Sequence, residues 1–264
     1  MRRFSESYLR RTRRGMWADS RAALADFDLD GRTRILDVGC GTGEFTRVLA
    51  EESDARVVGV DADLELLSVA DEHPDIEAVA GDATGLPFAD GSFDLVVCQA
   101  LLVNLPDPAA AISEFARVSS DLVATVEPDN AAVGVDSTVE SEVSLEKRVR
   151  EAFLHGVSTD VALGDRVPAF FDSAGLDIVG TRRYHHQKLT EPPYDEDDVR
   201  SAAQKATGEG LDRHERDLRR GLDESYESVR RQWRQMGREV VRQMKSEEYR
   251  RAEVVPFDVT TGQV

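Results

Sequence analysis

Apolar residues in the first half of the chain form short runs, separated by longer segments in which they recur every three or four residues. The short runs predict buried strands near 33–38, 56–61, 76–80, 93–98 and 121–127. The longer segments predict helices, most clearly at 43–52, 63–72 and 107–119. Such alternation is typical of a doubly wound α/β fold, in which ligands bind at the carboxyl ends of parallel strands.

After residue 130 the pattern changes. It predicts helices at 138–156 and 165–174, a strand at 177–187 and a last antiparallel strand at 254–261, where Pro256 fits poorly in a central strand. A helix starting after the acids at 195–198 and a longer one over 211–250 are predicted between the last two strands. We therefore expect a Rossmann-like, seven-stranded domain over 31–189 plus 252–264, an Arg-rich N-terminal helical cap at 1–30 (helix 5–26) and a helical insertion at 190–251.

One apolar stripe follows the predicted long helix at spacings of three and four. Its members are Leu218, Leu222, Tyr226, Val229, Trp233, Met236, Val240 and Met244. Such a stripe most often packs on its own domain. A lid over a substrate pocket and a homodimer contact are the alternatives.

Three alternating glycines follow the first predicted strand, and a helical pattern begins at Phe45. Gly39, Gly41 and Gly43 let the backbone turn with positive φ and approach a ligand, and a helix start offers free N–H groups to a nucleotide-like cofactor. Asp61 ends the second strand, where an acid can accept both hydroxyls of a ribose.

Two acids beside this loop discriminate between cofactors. The dinucleotide fingerprint needs a small residue where this chain has Glu44, and Asp37 immediately precedes the loop. These carboxylates would repel a pyrophosphate but suit a ligand with a sulfonium and an ammonium group. The sequence therefore favours S-adenosylmethionine, and an oxidoreductase is disfavoured.

Four motifs occur in the order found in one enzyme family. They are Asp37-Val38-Gly39-Cys40-Gly41-Thr42-Gly43, Val58-Gly59-Val60-Asp61, Ala80-Gly81-Asp82-Ala83-Thr84-Gly85-Leu86-Pro87-Phe88 and Ser92-Phe93-Asp94-Leu95-Val96-Val97-Cys98-Gln99. From about Thr33 to Pro128 the chain resembles class I S-adenosylmethionine-dependent methyltransferases, in the group that includes ubiquinone-biosynthesis and other small-molecule methyltransferases.

The resemblance implies roles for the matching residues. Gly39, Cys40, Gly41 and Gly43 would line the methionine portion of the cofactor, and Asp37 would help to hold its amino group through the loop. Asp61 would bind the ribose, Ala62 and Leu66 would pack near the adenine, Asp82 would accept from the adenine amino group beside Ala83, and Gln99 would face the methyl. In this family an N-terminal helix often closes over the cofactor, which implies that Tyr8, Arg14 or Trp17 reaches the site.

The acids also have structural interpretations. Asp37 could cap the following helix, and Asp61 and Asp82 could be ordinary turn residues, because Asp is favoured in turns.

Methyl transfer from a sulfonium is an in-line displacement that mainly needs alignment and exclusion of water, so a dedicated catalytic residue need not exist. The fourth motif lacks the Asn-Pro-Pro-Tyr type of signature of related base and glutamine methyltransferases, which favours a small organic acceptor. If a base is needed, the candidates are His155, His185, His186 and Glu127. His185 and His186 are adjacent in a predicted strand and must face opposite sides.

Composition sets the cellular context. The net charge is −18, and Arg supplies 29 of the 33 basic side chains. A dense carboxylate surface with few lysines predicts a halophilic, haloarchaeal source, since concentrated salt screens the self-repulsion. No apolar run reaches the roughly 20 residues of a membrane span, so a cytoplasmic location is expected. Cys40 and Cys98 are predicted to be buried thiols, and no metal-ligand spacing is evident.

Two other functions stay open at this point. Seven Arg in residues 1–21 could bind an anionic substrate, RNA or a lipid surface, and an RNA or protein methyltransferase could use them. A cofactor-binding regulatory protein without turnover is the second alternative.

Overall fold

The computed structural model describes residues 16–19, 21–74, 76–163 and 166–264, which form two compact units. The first unit comprises the chain up to Asp129, Leu163–His186 and Pro256–Val264. The second comprises Asn130–Ala162 and Gln187–Val255. The predicted insertion at 190–251 falls within the second unit, but the segment 130–162 does too. This differs from the predicted division, which placed that segment in the Rossmann-like domain.

The strands are β1 (Arg34–Val38), β2 (Arg56–Asp61), β3 (Glu77–Ala80), β4 (Phe93–Gln99), β5 (Ser119–Pro128), β6 (Gly134–Ser137), β7 (Asp177–Thr190) and β8 (Arg251–Gln263). Strands β1 to β5 pair in parallel in the order β3-β2-β1-β4-β5. Strand β8 is antiparallel to β5 and also pairs with β7. Seven of these strands contribute to the first unit, so the predicted Rossmann-like α/β sheet is confirmed, while the short β6 was not predicted.

The helices are α1 (Met16–Asp19), α2 (Glu44–Glu51), α3 (Leu64–Ala70), α4 (Pro108–Val118), α5 (Glu140–Gly156), α6 (Val167–Ser173), α7 (Glu196–Thr207), α8 (Glu209–Asp212), α9 (Glu215–Gly221) and α10 (Tyr226–Lys245). Side chains that precede several of these helices cap their N-termini. Asp63 accepts from the backbone N–H of Glu65 before α3, and Asp107 accepts from that of Ala110 before α4. These side chains satisfy N–H groups that have no partner within the helix.

The N-terminal helix predicted at 5–26 falls only partly within the described residues, and residues 21–26 differ from it. Residues 1–15, with Tyr8 and Arg14, lie outside the described residues. Helix α1 ends at Asp19, and Arg21–Phe27 is a 3-10 helix. Leu24 and Phe27 are both buried, and their spacing of three places them on one side of a 3-10 helix, which has three residues per turn.

The prediction of one long helix over 211–250 is wrong, because the segment forms three helices, α8, α9 and α10. Leu222 has extended backbone after Gly221, and Ser225 starts α10 by accepting from the N–H of Ser228. The apolar stripe nevertheless packs in the core of the second unit, where every member except the half-buried Leu222 is buried. Its role as a lid or dimer contact stays a prediction.

Close helix packing explains why α5 belongs to the second unit. A Cβ added to Gly156 would lie 1.8 Å from the carbonyl oxygen of Asp217, and one added to Gly221 would lie 1.8 Å from that of Ala152. Helices α5 and α9 therefore touch backbone to backbone at two glycines. Sequence periodicity predicts helical structure in both segments but not this pairing.

The second unit buries an ionic cluster beside its apolar core. Glu142 and Glu146 bind Lys205, and Glu146 also accepts from Arg251 at 2.7 Å. Burial alone would raise the pKa of Glu146, but the charges of Lys205 and Arg251 outweigh it and lower that pKa to about 2. Lys205 and Arg251 thus neutralise buried carboxylates.

The predicted C-terminal strand is present, and Pro256 is accommodated within it. Residues 251–254 of β8 pair with β6, and residues 257–263 pair with β5. Pro256 lies between these two segments, and its carbonyl accepts from the N–H of Asp129 at 2.9 Å. Proline lacks an N–H, so a gap between pairing partners suits it.

The glycine contact predicts a stability difference. Gly156→Ala should lower the free energy of unfolding by about 1–3 kcal/mol, because its methyl group overpacks a backbone contact. Gly210→Ala, where nothing lies within 4 Å of the added Cβ, should be neutral or stabilising by about 0.5–1 kcal/mol. Urea unfolding followed by circular dichroism measures both, and equal stability of the two variants would contradict the packing.

Candidate cofactor-binding site

The backbone turns sharply after β1 at the three predicted glycines. Gly39, Gly41 and Gly43 have φ of +74°, +57° and +79°, a region that side-chain-bearing residues rarely adopt. The N–H groups of Gly39 and Cys40 donate to the carbonyl of Val60 at 2.7 and 3.1 Å. The turn is thus attached to the end of β2.

Close neighbours leave no room for a side chain at two of these positions. A Cβ on Gly39 would lie 2.7 Å from Leu101 Cδ1, and one on Gly43 would lie 2.6 Å from Ile76 Cδ1. Gly59 is comparable, since its Cβ would lie 2.9 Å from Cys40 Sγ. Sequence reasoning did not single out Gly59 as a residue that shapes the loop, although it lies in the second motif.

Asp61 joins the loops that follow β1 and β2. One carboxylate oxygen accepts from the N–H of Gly41 at 2.9 Å, and the other accepts from the N–H of Asp63 at 2.8 Å. The side chain is half-buried, Ala62 beside it is exposed, and Leu66 in α3 is buried. A carboxylate in this position can accept further donors from a ligand.

Asp37 and Thr42 differ in how their oxygens are used. Asp37 is buried and accepts from Thr46 Oγ1 of α2 at 2.7 Å, so it fastens the helix beneath the loop. Thr42 is also buried, but its hydroxyl has no hydrogen-bond partner within the described part of the chain. A buried hydroxyl at the glycine turn without a partner is suited to a polar ligand atom.

Asp82 follows β3 and is exposed. Its carboxylate accepts from the N–H and the hydroxyl of Thr84 at 2.9 and 2.7 Å, and these hydrogen bonds lower its pKa. Ala83 is half-buried and packs against the core. The side chain of Asp82 is therefore an anionic acceptor at neutral pH.

Gln99, the last residue of β4, contacts the N-terminal segment. Its Nε2 lies 2.8 Å from Met16 Sδ, and Trp17 Nε1 lies 3.4 Å from its Oε1. The indole of Trp17 stacks on Phe45 with ring centroids 4.6 Å apart. Trp17 thus contacts a predicted site residue, and an apolar wall surrounds the amide of Gln99.

The candidate bases differ in burial. His155 and His185 are exposed, whereas His186 is buried, so the adjacent histidines do face opposite sides of β7. Glu127 is buried at the end of β5 and accepts backbone N–H groups. The Glu127 side chain bonds the backbone after β4, and no catalytic residue is assigned.

Glu127 has the most perturbed environment of these candidates. Its side chain is 1% exposed and accepts from the N–H groups of Leu101, Leu102 and Val103. Burial raises its pKa to about 7, although the three N–H groups favour the charged form. A carboxyl group that titrates near neutrality in a core is unusual, and its position after an apolar strand was the only sequence signal.

Cys40 and Cys98 are free, buried thiols, as predicted. Burial and the neighbouring Glu127 raise the pKa of Cys98 well above its usual range. Within the described residues, no group of three His, Cys, Asp or Glu side chains could hold a metal ion. In the same part of the chain, no helix has the length and apolarity that crossing a membrane requires.

The turn after β1, Asp61 at the end of β2, Asp82 after β3 and Gln99 at the end of β4 all lie at the carboxyl edge of the parallel strands. A family model described as a methyltransferase domain matches residues 36–121. Residues 36–121 are thus similar to a methyltransferase domain. The match begins in β1 and ends in β5, so this domain contains every predicted cofactor-site residue.

Curated relatives share this domain. A demethylmenaquinone methyltransferase of Renibacterium salmoninarum is 44% identical over 87 residues, covering 33% of this chain and 36% of the relative. A ubiquinone biosynthesis O-methyltransferase of Burkholderia vietnamiensis is 37% identical over 109 residues, covering 39% of this chain and 44% of the relative. The chain thus spans less than half the length of these relatives.

A solved structure of a Bacillus halodurans protein has the same fold. It aligns with a TM-score of 0.57 and 17% identity, covering 93% of this chain and 98% of that one. This similarity extends the likeness of fold beyond the methyltransferase domain.

Glu127 makes stability depend on pH. Because its pKa is raised from 4.5 to about 7, the folded chain holds a proton that the unfolded chain has lost between these values. The stabilisation from this proton is fully present below about pH 4.5 and is lost as the pH rises through about 7, by roughly 2–4 kcal/mol.

Glu127→Gln should remove this loss. Its free energy of unfolding relative to the wild type should therefore increase between about pH 5 and pH 8. Urea unfolding followed by Trp17 fluorescence, in a Trp233→Phe background, reports on the first unit. Parallel pH curves for both proteins would contradict the placement of Glu127.

Proposed function

We propose that this chain transfers the methyl group of S-adenosylmethionine to a small organic acceptor. The observation that carries the proposal is the turn of positive-φ glycines held by Asp61, within a methyltransferase domain. The names of the relatives, which are quinone methyltransferases, support the acceptor class. A nucleic-acid substrate stays an alternative without a specific observation in its favour.

The residues present fit the cofactor chemically. Asp61 would accept from the ribose hydroxyls, and Asp82 would accept from the adenine amino group. The unpartnered hydroxyl of Thr42 and the N–H groups of the glycine turn would meet the polar methionine end. Ala62 and Leu66 would pack near the adenine, and Asp37 would support the loop through Thr46.

S-adenosylmethionine, when bound, supplies an electrophilic methyl group on a positively charged sulfur. The chain then has to orient the acceptor and exclude water. Met16, Trp17 and Phe45 provide an apolar wall around Gln99, which would serve both purposes. For a phenol or quinol acceptor, a proton must also leave, and the described geometry assigns no residue to that step.

The cellular setting belongs to the same proposal. The excess of acidic residues, with a net charge of −18, supports a salt-rich, haloarchaeal cytoplasm. Assays should therefore be run in about 2–3 M KCl, where surface repulsion is screened.

Binding tests the cofactor assignment. Calorimetric titration should show that the wild type binds S-adenosylmethionine and its demethylated product but not NADH. Asp61→Asn should weaken both affinities at least about tenfold, since a charged acceptor is lost. Asp54→Asn, at an exposed acid outside the motifs, is the control and should bind like the wild type. Binding of NADH alone would refute the proposal.

Turnover tests the reaction. With a labelled methyl donor, the wild type should methylate a member of a panel of quinols and phenols that includes demethylmenaquinol. Asp61→Asn should lose most of this activity at subsaturating donor concentrations. Methylation of RNA or protein, with none of the small acceptors, would replace the proposed acceptor class while keeping the cofactor.

A further inference from the structure

The carboxylate of Glu127 is bound almost entirely by backbone donors. Its Oε1 accepts from the N–H groups of Leu101 and Leu102, both at 2.9 Å, and its Oε2 lies 3.3 Å from that of Val103. Cys98 Sγ approaches Oε1 at 3.5 Å. A buried carboxylate is costly unless it is hydrogen-bonded, so these donors explain how the core accommodates it.

The donors belong to a turn with unusual backbone geometry. Ala100 has φ of +50°, which is uncommon for a residue with a side chain. The turn is held at both ends, because the Ala100 N–H donates to Val126 O at 2.9 Å and Asn104 Nδ2 donates to Ala100 O at 2.8 Å. The end of β5, through Val126 and Glu127, thus fixes the backbone over 100–104.

This turn touches the candidate site at two points. It directly follows Gln99, whose amide contacts Met16 and Trp17. Leu101 lies against the glycine turn, since a Cβ on Gly39 would be 2.7 Å from its Cδ1. A shift of residues 100–104 would therefore displace the Leu101 side chain that lies against the glycine turn.

We propose that Glu127 is a positioning residue, whose carboxylate holds the turn 100–104 so that Leu101 shapes the glycine turn for the cofactor. The proposal rests on the function proposed above, and it replaces the sequence hypothesis of a general base. Glu127 acts through backbone N–H groups, and its buried carboxylate is fully engaged within the core.

The ionisation of Glu127 gives the proposal a distinctive pH dependence. Its pKa is raised by burial to about 7, so it titrates near neutrality. The thiol of Cys98 on β4 faces it and stays neutral because its own pKa is raised well above the usual range. Directly across on β8 lies Asp258, which is paired with Arg183. Protonation of Glu127 removes an acceptor site and should loosen the turn.

The test compares two carboxylate-to-amide variants. Glu127→Gln replaces one acceptor by a donor that opposes the backbone N–H groups. Asp94→Asn is the matched control, because Asp94 accepts from the N–H groups of Thr33 and Arg34 at the opposite edge of the sheet. For each protein, calorimetry gives the affinity for S-adenosylmethionine at about pH 8 and pH 6, on either side of the Glu127 pKa. Amide hydrogen exchange reports on residues 101–103 without cofactor.

Glu127→Gln should weaken the affinity about tenfold at pH 8 and by no more than about twofold at pH 6, where Glu127 itself is protonated. Exchange at residues 101–103 should accelerate in this variant alone. Asp94→Asn should bind like the wild type at both pH values. Unchanged affinity in Glu127→Gln at pH 8, or the same ratio at both pH values, would overturn the proposal.

A second variant tests the proposal if Glu127→Gln does not fold. In that case Leu101→Ala, which removes the side chain that lies against the glycine turn, should weaken the affinity by about threefold or more. Unchanged affinity would overturn the proposal. If the wild type binds no S-adenosylmethionine, the proposed function fails by itself, while hydrogen exchange still decides whether Glu127 orders the turn.

Discussion

The way in which the backbone leaves β1 determines the geometry of the first unit. Three glycines with positive φ reverse the chain direction before α2, and backbone N–H groups of the turn donate its hydrogen bonds to β2. Val60 and Asp61, at the end of β2, accept three of its N–H groups. The turn therefore depends on the correct register of β1 and β2, which brings Val38 beside Val60.

Two carboxylates hold loops at the carboxyl edge of the sheet, but burial separates their roles. Asp61 is half-buried and bonds the N–H groups of Gly41 and Asp63, so a ligand can share or replace these donors. Glu127 is 1% exposed and bonds the turn after β4. The first is suited to contact a cofactor, and the second is suited to fix the loop that the cofactor meets.

The strands of the first unit and the glycine turn could be predicted from the sequence because both depend on local signals. Apolar runs mark β1 to β5, and glycine is the residue that a positive φ requires. The break at Leu222 was missed because the apolar stripe keeps its helical spacing across it. The position of α5 in the second unit was missed because it depends on a backbone contact at Gly156 that periodicity does not encode.

In the candidate site, too, features with local sequence signals could be predicted, and features that depend on distant contacts could not. Asp61 and Asp82 could be predicted from their positions at and after the ends of strands. In the structure, each carboxylate accepts a hydrogen bond from a backbone N–H group. The buried environment of Glu127 could not be predicted, because it depends on N–H groups of a turn formed by another strand. The contact of Trp17 with Gln99 joins residues 82 positions apart, and family resemblance suggested it while the residue pattern did not.

The most direct test of the central claim is a crystal structure of the chain with S-adenosylhomocysteine, grown at high KCl concentration. The account predicts the ribose hydroxyls on the carboxylate of Asp61, the adenine amino group on Asp82 and the homocysteine end along the turn of Gly39–Gly43. A nucleoside bound elsewhere on the chain, with Asp61 still bonded only to Gly41 and Asp63, would contradict it.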